Sequence, residues 1–234
     1  MKKPLDFEKY KVLTFDCYGT LIDWEKGLLE ALRPILALHQ IKKSDKEILE
    51  TYASIEHHTE EEYKSYKEVL REIVNAFGKR LGFTATPSEM DSLPRSIQKW
   101  TPFEDTVSAL ETLKKHYKLA VISNIDNDLF AFSAKHLQVP FDWITTAEEC
   151  KSYKPSTKNF TVALGKLPFS QDQVLHVAQS LFHDIVPAKS LGLSTVWVNR
   201  RKGKEGFGAT VPAHATPDVG VESLKELISL TGLH

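Results

Sequence analysis

Lys11-Val-Leu-Thr-Phe-Asp-Cys-Tyr-Gly-Thr-Leu-Ile-Asp-Trp24 is the stretch on which the fold turns. The β-branched and apolar residues Val12, Leu13, Thr14 and Phe15 run into a carboxylate, Asp16, and Gly19 turns the chain before a helical pattern begins. That pattern predicts a buried strand which delivers an acid to its own C-terminal end. In an open α/β sheet, ligands bind in the crevice beyond the strand ends, so Asp16 is expected at the mouth of a site. A carboxylate placed there is a candidate nucleophile, able to form an ester or acyl phosphate that water then breaks.

Outward from this stretch, the chain alternates in a way that names the fold class. From Trp24 to about Leu38 the residues Leu28, Leu29, Leu32, Ile35 and Leu36 recur at helical spacing, with Pro34 predicting a kink or local break. Ser44 followed by Glu47 is a capping-box pattern that starts a helix running to roughly Ala53. Glu60 to Leu81 reads as one helix with Tyr63, Tyr66, Leu70, Ile73, Val74 and Phe77 on a stripe. Residues 23–101 therefore read as all-helical, and strand signals resume only at Lys118.

After Pro102, helices (Phe103–His116, Asp128–Leu137, Asn159–Leu167, Ile185–Leu191) alternate with strands (Leu119–Ser123, Trp143–Thr146, Val174–Ala178, Thr195–Val198). Gly203 to Gly220, rich in Gly, Pro and Ala, reads as a loop before a last helix at Glu222–Leu230. The expected fold is a doubly wound, Rossmann-like α/β parallel sheet built from residues 1–22 and 102–234, with a helical domain of residues 23–101 inserted after the first strand.

Composition narrows the function. The chain has 234 residues with 30 Lys and Arg against 31 Asp and Glu, and a net charge of −1 gives no reason to expect nucleic acid or an anionic membrane as a partner. The basic cluster Arg200, Arg201, Lys202, Lys204 reads as a solvated loop. Two distant cysteines, Cys17 and Cys150, follow no metal or redox spacing and suggest a reducing compartment. The start MKKPLDFEKY lacks the apolar run of a signal peptide, so a cytoplasmic location is expected.

Further segments can meet Asp16. The strand ending at Ile122 is followed by Ser123-Asn124, a hydroxyl and an amide able to hold an anionic oxygen without adding charge. Lys154 stands in Ser-Tyr-Lys-Pro, and Gln179-Ser-Leu-Phe-His-Asp184 follows the strand ending at Ala178. This set in this order, with Asp16-x-Tyr18-Gly19-Thr20, resembles the haloacid dehalogenase superfamily and within it the 2-haloacid dehalogenases.

The resemblance implies that the helical insert is a cap over the active site. It implies Asp16 as nucleophile, Thr20 as its holder, and Lys154 as a cation that neutralises and keeps Asp16 ionised. Ser123, Asn124 and the backbone at Cys17 and Tyr18 are expected to bind a substrate carboxylate, with Gln179 nearby. Asp184 is the candidate to orient Lys154 or polarise the hydrolytic water, with Ser180 as its hydrogen-bond partner and His183 as an alternative base.

Departures from the superfamily's patterns refine this expectation. Its phosphatases carry an acid where this chain has Tyr18 and another where it has Gln179. Phosphoryl transfer profits from a general acid and a metal clamp, whereas halide leaving carbon needs neither, so no cofactor is expected. Magnesium, which Asp16 with Asp184 does not forbid, belongs to the alternative of a small-metabolite phosphatase.

The 2-haloacid dehalogenases also use an arginine in the first cap helices, and Leu49 to Glu56 here contains none; Phe160 replaces their tyrosine six residues after the lysine. Glu56, Tyr52, Tyr63 and Tyr66 are what the cap offers instead. A Glu56 facing the nucleophile would favour a cationic or neutral leaving group over a halide, as in ring-opening hydrolases of azetidine-2-carboxylate. The expected substrate is a small carboxylic acid attacked at its α-carbon. A ligand-binding member without turnover, and a homodimer of the kind superfamily members form, both stay open.

Overall fold

The computed structural model describes residues 5–233. In chain order the elements are β1 (Val12–Phe15), α1 (Trp24–Leu38), α2 (Asp45–Thr59), α3 (Tyr66–Leu81), α4 (Pro87–Met90), α5 (Ser92–Ser96), α6 (Thr106–Lys114), β2 (Lys118–Ser123), α7 (Asn127–Leu137), β3 (Trp143–Thr146), α8 (Ala147–Cys150), α9 (Thr157–Lys166), β4 (Val174–Ala178), α10 (Val186–Ser190), β5 (Ser194–Val198), β6 (Val219–Val221) and α11 (Leu224–Thr231). One turn of π-helix, Leu181–Ile185, joins β4 to α10. The strands form one parallel sheet in the order β3-β2-β1-β4-β5-β6. β1 and β4 are buried along their whole length, as strands covered on both faces must be, and their apolar runs are continuous rather than alternating. The strand order reverses at β1, and Asp16 follows it directly, which places the carboxylate in the crevice of a doubly wound sheet.

The β6 strand begins at the end of the residues read as loop and pairs with β5 through Val196↔Val219 and Val198↔Val221. Three residues interrupted by Gly220 are too short for a periodic signal; pairing to a sheet edge makes them a strand.

Between β1 and α6 every regular element is helical. The segments that lead into and out of this block run side by side, Asp23 N–H donating to Thr101 O (2.9 Å) and Phe103 N–H to Leu21 O (3.1 Å). α1 continues through Pro34 without the expected break, since the proline stands one turn before the helix end and removes a single internal hydrogen bond. α2 runs past Ala53 to Thr59, and α3 starts at Tyr66 instead of Glu60. Ser65 and Glu68 form a capping box there, and Asp126 accepts the Tyr66 and Lys67 N–H groups (2.8 and 3.1 Å). A carboxylate from outside the block thus satisfies two orphan donors and favours the helix start electrostatically.

In the Arg200–Lys204 cluster Lys202 and Lys204 are exposed on a loop as the composition suggested, but the two arginines are not. The Arg200 side chain is only 8% exposed, pairs with Asp105 and donates to Thr20 O. Arg201 pairs with Glu25 at the start of α1. Glu25 also accepts the Ala209 N–H (3.0 Å), and Gly208 (φ +82°) sits so close that a β-carbon would collide with that carboxylate. Guanidinium groups with carboxylate and carbonyl partners tolerate burial that composition alone cannot reveal. The segment after β5 is thereby strapped to the helical block, and Thr210 is carried to the catalytic crevice. Among the described residues no helix is long and apolar enough to cross a membrane.

Candidate active site

At the end of β1, Gly19 (φ +94°) takes the left-handed conformation that a tight turn requires, and this swings Thr20 back over Asp16. The Thr20 hydroxyl donates to Asp16 Oδ2 (2.7 Å) and accepts the Gln179 N–H (2.8 Å), so its single proton is committed to the carboxylate. Lys154, 1% exposed, donates its three ammonium protons to Asp16 Oδ1 (2.8 Å), Asp184 Oδ1 (2.7 Å) and Ile122 O (2.9 Å). A fully buried cation with every proton placed is fixed in direction as well as position.

Asn124 holds the lysine from behind: its Oδ1 accepts Lys154 N–H (2.7 Å) and its Nδ2 donates to Lys154 O (3.0 Å). The Asn124 amide is thus engaged with the Lys154 backbone, which uses one of its two Nδ2 protons, and the residue also lines the cavity beside Asp16.

Asp16, Tyr18, Trp24, Tyr66, Ser123, Asn124, Lys154, Ser180, His183, Asp184 and Thr210 enclose a cavity of about 40 Å3. That is room for only a few water-sized groups. Grooves of about 620 and 640 Å3 flank α1 elsewhere, but neither contains Asp16, Lys154 or Asp184. Two buried oxygens of the small cavity's lining have no protein partner: Ser123 Oγ and Asp184 Oδ2. Buried polar atoms are nearly always bonded, so these two mark where a ligand or water completes the site. The N–H groups of Cys17 and Tyr18 meet no acceptor among the described residues, while the Cys17 side chain is fully buried in the core.

Other expected residues are placed differently. The Gln179 side chain packs beside Gly19 and is absent from the cavity wall, while the residue's backbone carbonyl accepts from Trp197 Nε1 (2.8 Å) and its backbone N–H donates to Thr20 Oγ1. Ser180 lines the cavity, yet its oxygen accepts the His183 N–H (2.9 Å) as a cap to the π-turn and does not bond Asp184. Tyr18 contributes its ring, its hydroxyl being paired with Ser133 Oγ (2.7 Å).

Glu56 does not face the nucleophile: it stands behind Tyr66, its Oε1 accepting from Tyr52 (2.7 Å) and Tyr66 (3.0 Å), and is outside the cavity wall. Burying a carboxyl demands partners, and the two phenols supply them. Tyr66 and Trp24 are the side chains that the helical block contributes to the wall.

Burial pushes Asp16 above the ordinary carboxylate value, Lys154 opposing and Asp184 adding to the rise. The expectation that Lys154 alone would set the direction is thus corrected: desolvation is the larger effect. Asp184 is also raised by burial, but Lys154 and His176 together overcome this and hold it low, hence ionised. Burial alone would depress Lys154; the flanking carboxylates more than offset that and keep it charged. Burial brings His183 down to about 4, so it is neutral near pH 7.

Burial raises Glu56 to about 7, the tyrosine hydroxyls resisting. A raised folded-state value means that the stabilising contribution of this carboxyl is full below its usual 4.5 and lost as pH climbs towards 7. The shift corresponds to about 3 kcal/mol. Glu56→Gln should flatten this decline, which urea midpoints at pH 5 and pH 8 will show. An unchanged difference between the two midpoints would mean that another group carries it.

The family model described as haloacid dehalogenase-like hydrolase matches residues 13–198. The chain belongs to this family. Among curated relatives, the (S)-2-haloacid dehalogenase H-109 of Pseudomonas putida is 26% identical over 223 residues, covering 89% of this chain and 94% of that protein. The L-2-haloacid dehalogenase of Xanthobacter autotrophicus, solved with chloropropionic acid covalently bound, superposes with TM-score 0.80 at 20% identity, covering 95% of this chain and 98% of that one. The putative hydrolase YfnB of Bacillus subtilis, solved with magnesium, superposes with TM-score 0.78 at 21% identity over 95% and 99% of the two chains. The fold is thus common to a protein solved with magnesium and one solved with a covalently bound acid, and side chains must discriminate.

Here they do not fit magnesium. Tyr18 is turned to Ser133, Gln179 is turned out of the cavity, and the space between Asp16 and Asp184 is bridged by the Lys154 ammonium. Two site residues carried no sequence signal of their own: Thr210, which arrives on the strap, and His176, which is hidden inside an apolar strand.

Proposed function

We propose that this hydrolase displaces the leaving group, most simply a halide, from the α-carbon of a small 2-substituted carboxylic acid through an ester on Asp16, without a metal. The observation that carries this reading is Lys154 Nζ held between Asp16 Oδ1 (2.8 Å) and Asp184 Oδ1 (2.7 Å) in a cavity whose remaining unpartnered atoms are Ser123 Oγ and Asp184 Oδ2.

The substrate carboxylate takes the Ser123 hydroxyl and the Cys17 and Tyr18 N–H groups, which together form an anion cradle beside the nucleophile. An oxygen of Asp16 bonds to the α-carbon as the carbon–halogen bond breaks, and the halide leaves with the bonding pair. Water then attacks Cγ of Asp16 and passes a proton to Asp184 Oδ2. Collapse breaks the bond from Cγ to the former Asp16 oxygen now carried on the substrate's α-carbon, the departing alkoxide recovers that proton as the hydroxy acid, and Asp16, regenerated as its acid, releases the second water proton to solvent. Lys154 faces the negative charge that builds on the Asp16 oxygens in both steps.

The helical block of residues 23–101 serves as the cap, with Tyr66 and Trp24 keeping bulk water from the ester until Asp184 has placed its own. A wall of this size favours acids of two to four carbons, by the order of magnitude of the roughly water-sized spaces it encloses.

The test is to incubate the protein with short 2-chloro and 2-bromo acids, azetidine-2-carboxylate and phosphomonoesters, with and without chelator. Halide release that chelator leaves unchanged supports the reading; chelator-sensitive phosphate release would replace it with a phosphatase.

A further inference from the structure

Thr14 and His176 are opposite each other in the β1–β4 register, and both are at most 1% exposed. Neither touches the cavity, and the reaction as derived uses neither. An imidazole sealed inside a sheet nevertheless needs partners at both nitrogens. Here they are Thr14 Oγ1 at Nδ1 (3.0 Å) and Asp184 Oδ1 at Nε2 (3.1 Å), with the edge of the imidazole against Phe160 at a centroid distance of 5.1 Å. The ionised carboxylate only accepts, so Nε2 carries the proton; Nδ1 then accepts from the Thr14 hydroxyl.

The consequence lies in how Asp184 is loaded. Lys154 Nζ and His176 Nε2 both donate to Oδ1, and no protein group donates to Oδ2, which is buried in the cavity wall. One donor on Oδ1 would still let the carboxylate turn about it and exchange its oxygens; two donors from different elements, β4 and the segment before α9, oppose that turn.

We propose that His176 is a positioning residue that locks the Asp184 carboxylate with Oδ2 aimed at the cavity, so that the free oxygen receives the proton of the hydrolytic water. Thr14 holds the imidazole in the required tautomer. The proposal rests on the ester reading given above, and it predicts a defect confined to the second half-reaction, since Asp16 attacks carbon without help from Asp184 Oδ2.

The experiment compares wild type, His176→Leu, His176→Gln and Thr14→Val by rapid quench with a 2-bromo acid, measuring halide release and the mass of the Asp16 peptide. His176→Leu should release the first equivalent of halide at the wild-type rate and then slow about 10- to 100-fold, with the ester accumulating on Asp16. His176→Gln, which keeps a donor at the Nε2 position, should restore turnover to within a few-fold. Equal slowing of both half-reactions in His176→Leu, or no accumulated ester, would overturn the proposal.

If His176→Leu does not fold, Thr14→Val gives the same contrast with a smaller amplitude. Nitrogen NMR of the wild-type imidazole needs no turnover. A proton on Nε2 is expected, and a ring protonated at Nδ1 alone would refute the lock. A wild type that releases no halide from any acid in the panel would refute the ester reading itself, while the NMR result would still decide the tautomer.

Discussion

Asp16→Asn should reduce turnover by about 10^4-fold or more, because the amide oxygen is a poor nucleophile and no neighbouring group can replace it. Cys17 is the nearest alternative, yet its thiol is sealed in the core, and burial keeps it protonated. The variant should nevertheless fold, and at neutral pH it should be at least as stable as the wild type. Burial raises the Asp16 carboxyl, so the folded state prefers the uncharged form, and asparagine is its neutral isostere. Loss of activity with a thermal midpoint equal or higher is the expected pair of results.

The same raised value predicts that kcat/KM falls on the acid side at a pH above the ordinary carboxylate range, as the nucleophile takes up a proton. A single turnover of wild type in heavy-oxygen water supplies the covalent test, since the first hydroxy acid released must carry unlabelled oxygen from Asp16. Label in that first product would mean direct attack by water and would remove the ester.

The second large effect is expected at Lys154. Lys154→Met leaves two buried carboxylates facing one another without a cation, which should cost about 3–5 kcal/mol of stability and at least ~10^3-fold in turnover. Lys154→Arg should not rescue activity. The lysine places three protons on three acceptors in different directions, Asp16, Asp184 and Ile122 O, and a planar guanidinium cannot reproduce that geometry in a site 1% exposed.

Charge balance can be separated from catalysis by adding Asp184→Asn to Lys154→Met. Removing the second buried carboxylate should recover much of the lost stability, by about 1–3 kcal/mol of coupling, without recovering turnover. Chemical denaturation of the two singles and the double measures this. Strict additivity would show that Lys154 and Asp184 do not act as a pair.

Much of the arrangement was legible in the chain. The strand leading to Asp16, the capping box at Ser44, and the strands at Trp143 and Val174 each rest on local patterns that survive folding. Tyr18 and Gln179 could also be read as departures from a metal-binding set, because a missing acid is a property of residue type and needs no geometry.

Illegible were the facts that depend on what a side chain meets. Asn124 looked like an anion binder and turned out to clamp the backbone of Lys154. Glu56 looked like a substrate contact and proved to be wrapped by two tyrosines. Arg200 and Arg201 looked solvated and are instead held by Asp105 and Glu25, distant in sequence.

By itself, then, the amino-acid order determined the class of fold and the end of the strand at which an acid would emerge, since hydrophobic period and turn chemistry act over neighbouring residues. Only the tertiary structure decided which polar atoms remain unpaired. Whether Ser123 Oγ and Asp184 Oδ2 face an empty space, and whether His176 behind them has a partner, depends on residues brought together from across the sheet. The cost of leaving a buried polar group unsatisfied is what makes those few atoms mark the site.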